Sequence, residues 1–230
     1  MNNPCKNCQK DINERLSHLI KINNMLQCFC EDRRKYEKMN KYKIIALFGP
    51  AGSGKDYVQK QMMETEWGRK NLHEIIQCTT RPPREDEKDG IDYHFIATPE
   101  EFMNWENMGK WLEFSNFRGW WYGTSIDHLT KDKPNLGVFN IKGIKSLLED
   151  EECEVYPIYI YTYDKLRLMR QLVREGNPDC YEICRRFMSD KEDFAYIPFS
   201  YKTIENNTYE IQPLLDDLTS MIQNWTNVYN

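Results

Sequence analysis

Short apolar runs alternate with segments of helical spacing along most of this chain. The apolar runs predict strands over residues 43–48, 73–78, 136–141 and 155–161. The helical spacing predicts helices over residues 56–70, 99–108, 143–150, 164–175, 178–194 and about 211–225. Because strands that alternate with helices favour parallel pairing, the pattern predicts an α/β fold around a parallel sheet.

One stretch breaks this alternation. Residues 78–130 are rich in aromatic residues, arginine and turn residues, which favours an inserted, partly β subdomain. The core of the predicted domain then consists of residues 41–77 and 131–225.

Residues 1–40 differ in character from the rest of the chain. Apolar residues recur at helical spacing between 11 and 36, and residues 31–38 are mostly charged. Cys5, Cys8, Cys28 and Cys30 could form a tetrahedral zinc site, because four thiolates suit that ion. The alternative is an amphipathic N-terminal helix that packs on the body of the protein or on another subunit.

Composition argues against several classes of protein. The 230 residues carry a formal net charge of −5, and no polybasic stretch marks nucleic acid as the main partner. The sequence has no run of about 18 apolar residues and no hydrophobic signal segment behind a basic start. We therefore expect a cytoplasmic protein that does not enter a membrane, with its eight scattered cysteines as free thiols.

The strongest chemical signal follows the first predicted strand. It fits the phosphate-loop pattern G-x-x-x-x-G-K and reads Gly49-Pro50-Ala51-Gly52-Ser53-Gly54-Lys55-Asp56, with Asp in place of the usual Ser or Thr. Glycines allow several backbone N–H groups to converge on one phosphate chain, and the helix that follows adds a partial positive charge. Lys55 would add a full charge near the β- and γ-phosphates, so the sequence predicts an ATP site.

A second anion site is predicted inside the insert. Arg81 and Arg84 flank two prolines, and a guanidinium group can grip a phosphate with paired donors. The hydroxyl of Tyr93 could complete this site. Two separate phosphate sites indicate two phosphorylated ligands, an arrangement that suits phosphoryl transfer between them.

Four sequence blocks in the right order resemble the guanylate kinase family over roughly residues 42–225. Besides the loop, residues 79–95 match T-T-R-x-P-R-x-G-E-x-x-G-x-D-Y-x-F, except that Asp86 replaces a glycine. Residues 112–113 and 119–125 are similar to its L-E and G-N-Y-Y-G-T block, and residues 170–176 and 183–187 to its arginine-bearing lid. The resemblance implies a P-loop kinase fold over residues 41–225, with a monophosphate-binding insert at 78–130 and a helical lid at about 164–190.

The resemblance also implies roles for individual residues. Those that would hold the nucleoside monophosphate by its phosphate are Arg81, Arg84, Tyr93 and Tyr122. Those that would contact its base are Gln77, Glu113, Thr124 and Asn140. For the two tyrosines, packing in the core is the alternative.

On the ATP side, the resemblance implies that the loop residues 49–56 bind the nucleotide and that Asn206 lies beside its adenine. Lys55, Arg170, Arg174 and Arg186 would act on the transferring phosphoryl group. A solvated helix face is the alternative for the three arginines, and an ordinary polar turn is the alternative for residues 205–207.

Three departures from the family pattern bear on the mechanism: at Gln77, at the end of the central strand and at Asp56. Gln77 stands where the family has a serine that contacts guanine O6, and Asn140 and Lys142 replace two aspartates after the central strand. Asp56 is the third departure. Since one carboxylate is gained at 56 and one is lost at 140, we expect Asp56 to bind the Mg²⁺ ion. The two amides change what the base pocket can pair with, so we expect a guanine-like base that is not necessarily plain GMP. Retention of GMP is the alternative.

The sequence therefore predicts a nucleoside monophosphate kinase that uses ATP and Mg²⁺ and acts on GMP or dGMP. A modified purine deoxynucleotide, of a kind that a bacteriophage uses, is an alternative acceptor, and loops that end in G-K-D also look like those of some phage nucleotide kinases. A non-catalytic guanylate-kinase-like module that binds phosphopeptides is a competing function, and so is a kinase for a sugar phosphate. The oligomeric state stays open.

Overall fold

The structure is a computed structural model that describes residues 41–84, 87–117, 119–174, 178–208 and 210–227. Apart from Lys41, these residues belong to one compact unit, Tyr42–Asn230. The helix predicted within residues 1–40 and the zinc site proposed for Cys5, Cys8, Cys28 and Cys30 lie outside the described residues. The cysteines within the described residues are free thiols.

Strands and helices alternate along the described chain. The strands are β1 (Tyr42–Phe48), β2 (His73–Glu74), β3 (Cys78–Thr79), β4 (His94–Phe95), β5 (Trp111–Phe117), β6 (Trp120–Ser125), β7 (Asn135–Val138), β8 (Cys153–Tyr161) and β9 (Lys202–Glu205). The helices are α1 (Lys55–Glu64), α2 (Glu66–Asn71), α3 (Pro99–Asn107), α4 (Ile141–Glu149), α5 (Asp164–Arg174), α6 (Cys180–Asp193) and α7 (Gln212–Asn227). Over the residues described, no helix is both long enough and apolar enough to span a bilayer.

A five-stranded parallel sheet in the order β2-β7-β1-β8-β9 forms the core. Residues 44–48 of its central strand β1 are fully buried, because helices cover both faces of the sheet. Alternate side chains point to opposite faces. Ile45 and Leu47 pack with α1 and α7, whereas Ile44 and Phe48 pack with α4. The predicted α/β fold with a parallel core is therefore confirmed.

The insert forms a second sheet in the order β4-β3-β6-β5, in which β6 pairs antiparallel with both β3 and β5. Large rings join this sheet to α3. The ring of Phe102 lies 4.2 Å from that of Trp111 and 5.8 Å from that of Trp121, centre to centre. Burial of these rings gives the subdomain a core of its own. The partly β insert is thus present as predicted.

Three elements differ from the predicted pattern. The helix predicted over 56–70 ends at Glu64, because Thr65 has an extended backbone and its hydroxyl accepts a hydrogen bond from the Gly68 N–H. The strand predicted over 73–78 becomes β2 and β3, since the chain leaves the core sheet after β2 and joins the insert sheet at β3. The apolar pattern does not predict β9, because Ile204 is its one buried residue.

We expect Thr65→Ala to lower the free energy of unfolding by about 1 kcal/mol, the typical cost of removing a capping hydroxyl. The substitution removes the 2.8 Å bond from Gly68 N–H and the 2.7 Å bond that the hydroxyl donates to the Met62 carbonyl. Urea unfolding followed by circular dichroism measures the effect. Ser146→Ala is the control, since the Ser146 hydroxyl is exposed and bonds a carbonyl of its own helix. Equal losses in the two variants would contradict the capping role.

Candidate active site

The phosphate loop leaves the carboxyl end of β1 and leads directly into α1. Gly52 and Gly54 have φ values of 77° and 86°, in the left-handed region that favours glycine. Space also requires glycine at 52, where a Cβ atom would lie 2.5 Å from the carbonyl oxygen of Arg167. Gly54 caps α1 without a side-chain hydrogen bond, so the first N–H groups of the helix remain available to an anion.

Residues at the ends of β8 and β9 hold the loop in place. The Ser53 carbonyl accepts hydrogen bonds from Thr162 Oγ1 at 3.0 Å and from Asn206 Nδ2 at 2.8 Å. Lys55 Nζ lies 3.7 Å from Asp56 Oδ2, and the Asp56 side chain is 67% exposed. The loop therefore presents one cation and one exposed carboxylate beside its backbone N–H groups.

A cleft of about 260 Å³ opens beside the loop. It is lined by Gly54, Tyr57, Arg170, Asn206, Thr208 and Ile211. Arg170 reaches it from α5 and donates to the Asn206 carbonyl at 3.2 Å. An aromatic ring, an aliphatic side chain and a guanidinium group together suit a flat nucleobase. Asn206 itself is buried rather than part of an exposed turn.

The second anion site is assembled around Glu87. Its carboxylate accepts from Arg81 Nη2 at 2.8 and 2.9 Å and from Arg84 Nη1 at 3.1 Å. The Arg81 guanidinium lies 5.4 Å from the centre of the Tyr93 ring, and the rings of Tyr93 and Tyr122 are 6.2 Å apart. The structure thus brings together all four residues expected to hold the monophosphate.

Electrostatics connects this second site to the loop. Burial raises the pKa of Tyr93, and the Asp56 carboxylate raises it further, while Arg81 and Arg84 act in the opposite direction. The Tyr93 hydroxyl therefore stays neutral and able to donate a hydrogen bond. The Asp56 carboxylate on the loop is thus near enough to Tyr93 to influence its ionisation.

Gln77, Glu113 and Thr124 form a buried polar cluster in the insert. Gln77 Nε2 donates to Glu113 Oε1 at 3.3 Å and to Thr124 Oγ1 at 3.2 Å, and Thr124 Oγ1 donates to Glu113 Oε1 at 2.8 Å. Burial raises the pKa of Glu113 to about 7, against the opposing effect of the hydrogen bonds from Thr124 and Gln77. A Cβ atom at Gly143 would lie 2.6 Å from Glu113 Oε2, so α4 lies directly against this carboxyl group.

Both the oxygen and the nitrogen of the Asn140 side-chain amide form hydrogen bonds within the protein. Its Oδ1 caps α4 by accepting from the Gly143 N–H at 2.8 Å, and its Nδ2 donates to Ser115 Oγ at 2.7 Å. Ser115 lies two residues from Glu113 on β5 and therefore on the same face. Asn140 thus borders the polar cluster, but a contact with a base would require it to exchange one of these two bonds.

The three predicted lid arginines lie in different surroundings. Arg170 lines the cleft beside the loop, whereas Arg174 is exposed in the last turn of α5. Arg186 Nε on α6 donates to Glu182 Oε1 at 2.7 Å, and Arg185 Nε donates to Glu182 Oε2 at 2.6 Å. The hydrogen bonds from Arg185 and Arg186 lower the pKa of Glu182 to about 2, so this carboxylate stays ionised beside them.

Residues that the sequence patterns do not mark also contact the loop. Arg167, Gln171 and Asp190 are buried, and each of them bonds a backbone group of Ala51. Charged residues are almost never fully buried unless they are paired, so a pattern analysis assigns such residues to a solvated helix face. The four-residue spacing of Arg167 and Gln171, one turn of α5, is the signal that places these two on a common face.

Asp56 suits a magnesium ion that is bound mainly by phosphates and water. Mg²⁺ takes oxygen ligands, keeps several waters and is usually held by one or two carboxylates. Asp56 offers an exposed carboxylate in the first turn of α1, beside the N–H groups that face an anion. Within the described ranges, no three His, Cys, Asp or Glu side chains converge on a closed metal site. The residues present therefore fit an ion that arrives with a nucleotide.

Comparison with known proteins gives a consistent result. Residues 41–224 match the family model described as "Guanylate kinase". The guanylate kinase of Prochlorococcus marinus is 30% identical over 176 residues, which cover 74% of this chain and 93% of the relative. That of Campylobacter jejuni is 29% identical over 154 residues, which cover 65% and 74%. The crystal structure of guanylate kinase from Anaplasma phagocytophilum shares the fold, with a TM-score of 0.58, 22% identity and coverage of 80% and 86%.

We expect Glu113→Gln to remove a pH dependence from the unfolding free energy. Burial raises the pKa of Glu113 from 4.5 to about 7, so the folded protein binds this proton more tightly than the unfolded chain does. The resulting stabilisation is fully present below pH 4.5 and is lost as the pH rises through about 7. It amounts to about 3 kcal/mol.

The measurement is urea unfolding of the nucleotide-free protein across this pH range, with the exposed Glu149→Gln as the control. The control should lose stability with rising pH as the unsubstituted protein does, whereas Glu113→Gln should lose about 3 kcal/mol less. Parallel curves for all three proteins would contradict the raised pKa.

Proposed function

The chain belongs to the guanylate kinase family, and we propose that it transfers the γ-phosphoryl group of ATP to GMP or dGMP. The observation that carries this proposal is that one chain holds a phosphate loop with Lys55 and, in the insert, a separate pair of arginines, Arg81 and Arg84, on one carboxylate. A polyphosphate and a monophosphate held side by side are what phosphoryl transfer requires, because positioning and charge neutralisation supply most of the catalysis.

On the donor side, the loop N–H groups and Lys55 would hold the β- and γ-phosphates. The cleft beside the loop would take the adenine, with Tyr57 and Arg170 against its faces and Asn206 at its edge. Asp56 would hold Mg²⁺ together with the ATP phosphates. When bound, the ion supplies positive charge at the phosphate oxygens.

On the acceptor side, Arg81, Arg84, Tyr93 and Tyr122 would hold the monophosphate. A phosphate that enters here competes with Glu87 for the same guanidinium donors. Glu113 would face the base edge. When ionised, its two oxygens can accept from N1–H and the 2-amino group of guanine.

An oxygen of the acceptor phosphate attacks the γ-phosphorus, and the bond to the oxygen that leaves with ADP breaks. Lys55 and the lid arginines Arg170, Arg174 and Arg186 would neutralise the charge that spreads over the transferring group. Closure of the lid would exclude water and so protect ATP from hydrolysis.

A purine with amino groups at positions 2 and 6 is a second candidate for the acceptor base. The Gln77 N–H donors are turned towards Glu113 and Thr124, which leaves the amide oxygen for the base. A carbonyl oxygen accepts from a 6-amino group but repels the 6-oxo group of guanine. With its pKa at about 7, Glu113 can also donate its proton to the bare N1 of such a base. Such a base belongs to the modified purines that the sequence offers as alternative acceptors.

A panel of acceptors with labelled ATP and Mg²⁺ tests both candidates. For a guanylate kinase, kcat/KM for GMP or dGMP should exceed that for dAMP and for 2,6-diaminopurine deoxynucleoside monophosphate by about tenfold or more. The reverse order would select the second candidate. A protein that consumes no ATP with any acceptor would contradict both and favour a non-catalytic binding module.

We expect Gln77→Ser to raise kcat/KM for GMP relative to the diaminopurine nucleotide by about tenfold, because a hydroxyl can donate to O6 where the amide oxygen cannot. Gln223→Ser is the control, because the Gln223 side chain is exposed on α7. An unchanged ratio would show that Gln77 does not read the 6-position of the base.

We expect Asp56→Ala to reduce Mg²⁺-dependent turnover by about 100-fold and Asp56→Ser by less than about tenfold, since serine keeps an oxygen ligand. Steady-state rates across a Mg²⁺ titration measure the difference. An alanine variant with near-normal turnover would remove Asp56 from the metal site.

A further inference from the structure

We propose that Arg167, Gln171 and Asp190 are positioning residues that hold the phosphate loop in the form that binds ATP. These three residues are called the loop anchor below. Arg167 and Gln171 lie on α5 and Asp190 on α6, the two helices of the predicted lid. The inference rests on the proposed function, since it assigns the loop to ATP.

The loop anchor forms hydrogen bonds with both the N–H and the carbonyl group of a single loop residue, Ala51. Asp190 Oδ2 accepts from the Ala51 N–H at 2.8 Å. Arg167 Nε and Gln171 Nε2 donate to the Ala51 carbonyl at 3.1 and 3.3 Å. The bond to the Ala51 N–H fixes the peptide plane before this residue, and the two bonds to its carbonyl fix the plane after it. The orientation of the N–H groups that follow in the loop, which would face the anion, is thereby set.

The charges of the loop anchor compensate each other. A carboxylate so close to the loop would repel phosphate, but Arg167 Nη2 lies 3.2 Å from Asp190 Oδ2, and both side chains are buried. Arg167 Nη1 also donates to Asp164 at 3.0 Å, and its guanidinium lies 4.8 Å from the centre of the Phe187 ring. Asp190 can thus hold the Ala51 N–H without placing an uncompensated negative charge beside ATP.

Stability does not account for this arrangement. A buried ion pair often contributes no more to folding than apolar side chains of similar volume. The loop also packs closely against the backbone of α5, since a Cβ atom at Gly52 would lie 2.5 Å from the Arg167 carbonyl oxygen. A polar anchor at this contact fixes the orientation of a peptide group, which an apolar contact cannot do.

The double variant Arg167→Met/Asp190→Ala separates positioning from folding. We expect its melting temperature to stay within about 5 °C of the unsubstituted protein, because the charged pair is removed as a unit. Its affinity for Mg²⁺-ATP, measured calorimetrically without an acceptor, should fall about tenfold or more. Its kcat/KM for ATP should fall about 30-fold, while KM for GMP stays within about twofold.

Lys191→Met is the matched control. Lys191 Nζ lies 2.9 Å from Asp164 Oδ2, so this exposed ion pair also joins α5 to α6 but does not bond the loop. We expect its ATP affinity and turnover to stay within about twofold of normal. A stable double variant with normal ATP affinity, or a control that loses as much affinity as the double variant, would overturn the proposal.

Two milder variants keep the test decisive if the double variant does not fold. Asp190→Asn keeps an oxygen that can accept from the Ala51 N–H, so it should weaken ATP binding less than Asp190→Ala does. Gln171→Leu removes one bond to the Ala51 carbonyl and leaves the ion pair, and should weaken ATP binding about threefold or more. Equal affinities for the two Asp190 variants, together with a normal affinity for Gln171→Leu, would overturn the proposal.

Failure of the proposed function would be distinguishable from failure of this inference. ATP binding is measured without an acceptor, so it reports on the ATP site and not on phosphoryl transfer. A protein whose ATP affinity depends on the loop anchor but that phosphorylates no nucleotide would contradict the proposed function and leave the role of the anchor intact.

Discussion

Repulsion between two phosphate groups that must approach to bonding distance is the constraint on which the rest of this structure depends. The chain carries a net charge of −5, so the attraction for these anions has to be local. The core sheet contributes a loop of N–H groups and Lys55 at the end of its central strand. The insert contributes Arg81 and Arg84, which are held on the carboxylate of Glu87.

Carboxylates hold the arginine side chains of the candidate site in place while no anion is bound. Glu87 binds both clamp arginines, Glu182 binds Arg186, and Asp190 binds Arg167. A long side chain that is already held in place loses less conformational entropy when a phosphate binds. The acidic residues around this anion site therefore support binding, as long as each remains paired with a guanidinium group.

The features that the sequence predicts best act through local geometry or fixed spacing. The loop is marked by its glycines and Lys55, and the family pattern assigns Gln77 and Glu113 to one base pocket. The break at Thr65 depends on one capping hydroxyl, which does not change the apolar spacing. The loop anchor could not be predicted, because Asp190 lies 139 residues from the backbone group it binds. The roles of the lid arginines stay predictions, since they concern a state with both nucleotides bound.

The central claim is that one polyphosphate and one guanine monophosphate bind side by side. Calorimetric titration with a compound that joins adenosine and guanosine through five phosphates tests it most directly. We expect one molecule to bind per chain, about 100-fold more tightly than ATP or GMP alone, and to be displaced by either nucleotide. Binding no tighter than that of ATP, and unaffected by GMP, would show that the two ligands do not bind side by side.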